Sequence, residues 1–271
     1  MSELSSARQG RSLIGEVVFP AYQNRTTTAQ LGWSGSVGDM PESGPSAESN
    51  VMRYSATREE LLPFVPSTAR RVLDVGCGTG GFGRTLRAHK PGLELWGIEP
   101  EPAAAAAARG VYDDVREGFF PDDRLELPLG RFDTVLMMDV LEHMMDPEAA
   151  LEGARPLMTN DAVVVASIPN ARHYSVWWPL VRRGEWTYTE SGLMDRTHVR
   201  WFTRSSMEKM FTSCGWVVLS VVGINPVEPV GWKAKSLARL GHVMDDMFFI
   251  QFVVTARPPG ALSHPGGGSH P

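Results

Sequence analysis

Two groups of residues in this chain have types and spacings that could do chemistry. The first is the stretch Asp74-Val-Gly76-Cys77-Gly78-Thr-Gly80-Gly81 with Glu99 nineteen residues after Gly80. Glycines in a turn that follows a strand let backbone approach a bound nucleotide where a Cβ would collide. A carboxylate at the end of the next strand can accept hydrogen bonds from both ribose hydroxyls. The second group is Asp139-x-x-Glu142-His143, which together with the distant His198 offers three or four metal ligands or an acid–base set. Carboxylates mixed with imidazoles suit a magnesium- or manganese-type ion better than a closed zinc site. Without an ion, a neutral imidazole of His143 or His198 suits the role of general base near pH 7.

The glycine spacing, G-x-G-x-G, departs from the G-x-G-x-x-G of dinucleotide sites, where a helix N-terminus receives a pyrophosphate. An acidic residue inside the strand, Asp74, would repel phosphate and suits a cofactor that carries positive charge. The segment VLDVGCGTG with Glu99 downstream resembles motif I of class I S-adenosylmethionine-dependent methyltransferases. The resemblance runs from about residue 50 to residue 258. It implies that Asp74, Gly76, Cys77, Gly78, Gly80, Glu99, Pro100, Met138 and Asp139 contact S-adenosylmethionine. It also implies that Tyr54 and Arg58 cover the cofactor's methionine end, Arg58 meeting its carboxylate. Phe119 then lies where this family meets adenine, with a buried core phenylalanine as the alternative. The Asp139/Glu142/His143/His198 set is similar to the metal constellation of ubiquinone-pathway O-methyltransferases, with Asp139 standing where those enzymes carry Glu. The same D-V-L-E-H pattern also occurs in metal-free methyltransferases, so magnesium or manganese and no metal both stay open.

These residues need a frame that puts them at one edge. Short apolar runs at 72–75, 93–99, 111–120, 131–139, 162–170, 216–224 and 248–256 read as seven strands. Helical segments at 82–89 and 102–109 fall between the first three, the second with Pro102 at its start and Gly110 as its stop. The expected fold is α/β: a Rossmann-like, seven-stranded, mostly parallel sheet with helices on both faces and an antiparallel last strand. A further helix over 51–64 would put Tyr54 and Arg58, four apart, on one face. Residues 1–49, rich in Ser, Gly and Pro, read as an arm or lid, residues 50–258 as one catalytic domain, and 259–271 as a disordered tail.

Two acceptor-side insertions are expected, at 171–204 and 225–246. The first holds four of the eight tryptophans (Trp177, Trp178, Trp186, Trp201) with Tyr174 and Tyr188. Flat apolar rings with polar tips suit sugars, heterocycles or a protein interface. A pattern of SIPN, an aromatic stretch and GLMDRTHVRWFTR resembles bacterial methyltransferases of polysaccharide and secondary-metabolite clusters. That resemblance implies methyl transfer to a hydroxyl of a sugar-containing or other small acceptor. Metal-free N- or C-methylation, or a non-catalytic binding protein on the same fold, are the alternatives. His173 is a spare candidate base.

Composition narrows the remaining classes. A net charge of −5 and no long basic run disfavour a long nucleic acid as partner. Two cysteines make no disulfide framework. No apolar run reaches eighteen residues and no leader pattern is visible, so a cytoplasmic enzyme without a membrane span is expected, with a homodimer left open.

Overall fold

A computed structural model describes residues 57–227 and 245–260 of the chain. The seven strands are β1 (Arg71–Val75), β2 (Glu94–Glu99), β3 (Asp114–Glu117), β4 (Phe132–Met138), β5 (Met158–Pro169), β6 (Val217–Pro226) and β7 (Phe249–Arg257). They form one sheet in the order β3-β2-β1-β4-β5-β7-β6. Strands β1 to β5 pair in parallel, and β7 slots antiparallel between β5 and β6. The expected fold class is what the structure shows. Among the described residues five α-helices accompany the sheet: α1 (Gly81–His89), α2 (Pro102–Ala108), α3 (Pro147–Ala154), α4 (Tyr174–Arg183) and α5 (Arg204–Ser213).

The central strands are mostly apolar because both faces are covered. Alternation sends Val72 and Asp74 to one face of β1, and Leu73 and Val75 to the other. Val72 joins Leu95, Leu136 and the α1 residues Phe82 and Leu86 in one core cluster. Leu73 and Val75 join Phe132, Leu151 and Phe211 in the second. Strand β1 lies between β2 and β4, where the strand order reverses. Ligands of open α/β sheets bind in the crevice at the carboxyl ends of such a pair. The glycine turn after β1, Glu99 at the end of β2 and Asp139 after β4 all stand at that edge.

Local chemistry explains the main departures from the sequence reading. The helix expected over 51–64 is, where described, a 3-10 helix over Glu59–Phe64 that contains Pro63. Proline disfavours the α conformation of the residue before it and removes a donor, so a continuous α-helix cannot pass. Arg58 precedes that turn in a left-handed conformation (φ 50°) and is not on a helix face. Tyr54 lies outside the described residues. Strand β3 keeps four residues of the expected 111–120, because Val111 and Tyr112 turn back onto the glycine turn. Helix α2 ends at Ala108, two residues before Gly110. The 1–49 arm, most of the second insertion and residues 261–271 also lie outside the described residues. Among the described residues no helix is long and apolar enough to cross a membrane.

Candidate active site

The glycine turn is shaped by what packs on it. Gly76 has φ +74°, and a Cβ there would meet Val140 Cγ2 at 2.6 Å. Gly83, on the first turn of α1, faces the Tyr112 ring, whose Cζ would lie 2.5 Å from an added Cβ. Tyr112 is buried, and its hydroxyl donates to Asp74 Oδ2 at 2.5 Å. Asp74 is only 3% exposed. Burial pushes its pKa up to about 7, the Tyr112 hydrogen bond working against that and the Glu99 charge adding to it. The sequence reading put this carboxylate beside a ligand's positive charge. In the structure this carboxylate has the Tyr112 hydroxyl as its partner under the turn.

Glu99 keeps the position expected of it. Its Oε2 accepts from the Gly78 N–H at 2.8 Å and its Oε1 from the Glu101 N–H at 3.0 Å. Burial raises its pKa, and those two N–H groups pull it back. Each oxygen retains a lone pair for a ribose hydroxyl. The Cys77 thiol is buried against Gly97, and burial, with Asp74 and Glu99 nearby, pushes its pKa far up. Gly80 caps α1, and Pro100 is exposed just past Glu99. Phe119 is 76% exposed, which rules out the core-phenylalanine alternative.

Met138 ends β4 half-buried, and Asp139 follows with φ +56°. The Asp139 carboxylate is a hub. It forms an ion pair with Arg58 and accepts from Ser167 Oγ at 2.9 Å and Gln251 Nε2 at 2.8 Å. Gln251 Oε1 in turn accepts from Arg58 Nη2 at 3.1 Å and Asn225 Nδ2 at 3.3 Å. Asp139 is thereby held away from the expected four-ligand set, because Arg58 neutralises it first.

The remaining three do converge. Ligand atoms of Glu142, His143 and His198 all lie within 4.8 Å of one another. Val199 and Arg200 N–H groups both donate to the Glu142 carbonyl, at 2.9 and 3.0 Å, tying the His198 segment to the turn after β4. His198 Nδ1 sits 3.2 Å from the Leu193 carbonyl, and His143 Nδ1 3.2 Å from the Thr197 carbonyl. Carbonyls only accept, so these contacts assign the protons to Nδ1 and leave both Nε2 atoms as lone-pair donors. Glu142 is 1% exposed, yet neither carboxylate oxygen has a hydrogen-bond partner. His198 Nε2 is 4.0 Å from Glu142 Oε1, too far for a hydrogen bond. Burial, then the Asp139 charge, drives the Glu142 pKa well up, while burial and His143 lower that of His198. A buried orphan carboxylate facing two anchored imidazoles fits a divalent cation, and carbonyl-held Nδ1 protons are the usual support for metal-binding histidines.

The ring of His198 continues into Trp201 (5.7 Å), which meets Trp186 (5.1 Å) and Tyr188 (6.3 Å) edge-on or tilted. Trp177 and Trp178 lie on α4. His173 caps that helix through Ser175 rather than joining the trio. Sequence reasoning missed Tyr112, Ser167 and Gln251. A lone amide in the apolar run FFIQFVVTA was the available signal for Gln251, and nothing local marked Tyr112.

A family profile described as a methyltransferase domain matches residues 48–221. The chain belongs to that family. It is similar to a ubiquinone biosynthesis O-methyltransferase of Psychrobacter arcticus, 30% identical over 62% of this chain and 68% of that protein. A protein of the same description from Psychrobacter cryohalolentis is 28% identical over 70% of this chain and 77% of its own length. A solved SAM-dependent methyltransferase from Archaeoglobus fulgidus shares the fold, with TM-score 0.56 and 18% identity over 73% of this chain and 91% of that one. The methyltransferase takes S-adenosylmethionine as its donor, and the glycine turn and Glu99 stand where a nucleoside is held in this architecture.

Proposed function

We propose that this methyltransferase moves the methyl group of S-adenosylmethionine to a hydroxyl of a small acceptor that carries a second oxygen next to it. A divalent ion held by Glu142, His143 and His198 assists. The carrying observation is the buried Glu142 carboxylate, which lacks any hydrogen-bond partner and faces two imidazole Nε2 atoms. The O-methyltransferase names of the Psychrobacter relatives support transfer to oxygen. Sugar-containing and phenolic acceptors both present paired oxygens, and the Trp186–Tyr188–Trp201 rings beside His198 favour a flat or ring-shaped body.

The protein's own part is alignment. Glu99 receives the ribose, the Gly78 and Gly80 backbone lies under the nucleoside, and Arg58 is placed for a carboxylate. S-adenosylmethionine supplies a methyl already activated on sulfonium, so orientation and a proton acceptor complete the task. Near-attack alignment is worth about 7–11 kcal/mol in good model systems. A divalent ion supplies Lewis acidity that lowers the pKa of an adjacent hydroxyl. In the metal-free reading, exposed His143, its Nδ1 tied to Thr197, is the group that takes the proton.

The test is release of S-adenosylhomocysteine from full-length protein with S-adenosylmethionine and a panel of catechol, phenol and methyl glycosides. A paired-oxygen compound should turn over with manganese, phenol should lag, and excess EDTA should stop the reaction. Full turnover in EDTA moves the chemistry to the His143-base reading, and turnover on amines alone overturns O-methylation.

A further inference from the structure

We infer that Gln251 is a positioning residue for the amino-acid end of the methyl donor, holding Arg58 and Asp139 ready for that end's opposite charges. The inference rests on S-adenosylmethionine being the donor. It begins with an anomaly in β7. Position 251 pairs with Pro169 of β5 and Ile224 of β6, and the next three residues, Phe252, Val253 and Val254, are buried and apolar. A leucine or valine would serve such a strand. An amide there costs free energy unless its atoms are bonded.

Among the described residues, the side-chain bonds of Gln251 all go to polar groups at the crevice. Its Oε1 faces two donors, Arg58 Nη2 at 3.1 Å and Asn225 Nδ2 at 3.3 Å, and its Nε2 faces an acceptor, Asp139 Oδ1 at 2.8 Å. That arrangement fixes which way the amide points, since a flip would set NH2 against a guanidinium and oxygen against a carboxylate. Gln251 therefore bonds both members of an ion pair, each through the correct end. Asp139 adjoins Val140, the residue packed on Gly76, so the pair abuts the glycine turn.

The donor's terminal group is a zwitterion, a carboxylate and an ammonium on one carbon. Arg58 and Asp139 carry the complementary charges and pair with each other, while Arg58 Nε also meets Glu60 Oε1 at 2.8 Å. A zwitterion offers each of them a replacement partner, so the exchange leaves no charge unpaired. During the exchange the two side chains separate, and Gln251, with Ser167 on the Asp139 side, keeps them at the spacing the ligand needs.

The experiment compares two ligands that share adenosine and the thioether. S-adenosylhomocysteine has the amino-acid end, and 5′-methylthioadenosine lacks it. Calorimetry on the full-length protein measures both against wild type, Gln251→Leu and Gln251→Glu. Gln251→Leu should weaken S-adenosylhomocysteine roughly 10- to 100-fold, the range for hydrogen bonds that position charged groups. It should leave 5′-methylthioadenosine within about twofold. Gln251→Glu keeps the shape and the Arg58 side but sets a carboxylate against Asp139, so it should not rescue. Equal losses for both ligands would reduce Gln251 to a structural residue, and unchanged S-adenosylhomocysteine affinity would end the proposal. Failure of wild type to bind S-adenosylhomocysteine would instead remove the donor assignment itself.

Discussion

The two halves of the crevice treat buried polar groups in opposite ways. On the glycine-turn side every acid has a partner: Asp74 takes the Tyr112 hydroxyl, Glu99 takes two backbone N–H groups, and Asp139 takes Arg58, Ser167 and Gln251. On the other side Glu142 is equally buried and takes none. Unmade bonds to a buried carboxylate are costly, so a folded protein keeps one where a ligand will complete it. The satisfied half is a preformed scaffold for an organic cofactor. The unsatisfied half is the observation on which the divalent-ion proposal rests.

The contrast breaks most visibly at Glu142. Gln has the same shape without the charge, so Glu142→Gln should weaken manganese binding by more than about 100-fold, beyond the 10–100-fold known for supporting residues. Because the Glu142 carboxyl must ionise first, wild-type manganese affinity should rise with pH. Manganese titration followed by electron paramagnetic resonance reads both, and equal binding by the variant would return the trio to packing. A somewhat smaller effect belongs to Glu99. Glu99→Gln should cost roughly 10-fold or more in S-adenosylhomocysteine affinity by calorimetry, with manganese binding unmoved. A loss of both would mean that the halves are not independent.

The smallest effect sharpens the scaffold side. Asp74 sits at about 7 in the fold and near 3.9 when unfolded, so the native state holds its proton more tightly. Its stabilising contribution is present below about pH 4, declines as pH rises from about 4 to about 7, and is absent above that window. Asp74→Asn should flatten that slope in urea unfolding. Tyr112→Phe removes the bond that favours the ionised form, extending the decline to higher pH and costing about 1–2 kcal/mol at pH 8. A Tyr112→Phe curve identical to wild type would show that the hydroxyl does not brace Asp74.

What the sequence made legible follows from how locally each feature is encoded. The glycine turn, Glu99 and the Glu142–His143 pair are set by strand ends a few residues away, and apolar runs mark those strands. The alternation that buries Asp74 behind the turn is also local, but its partner Tyr112 is 38 residues on and depends on β3 starting late. The Arg58–Asp139 pair spans 81 residues, and Gln251 reaches Arg58 across 193. Such contacts come from strand order, which periodicity does not carry. Of the helix assigned to 51–64, the described part is a 3-10 turn that includes Pro63, a signal present in the sequence and outweighed there by the apolar pattern around it.

Strand β7 enters the sheet between two neighbours that precede it in the chain, and Gln251 enters with it. During translation, everything needed to cradle an adenosine has left the ribosome long before the residue that spans Arg58 and Asp139. The order of synthesis therefore withholds one corner of the crevice until β7 threads home between β5 and β6.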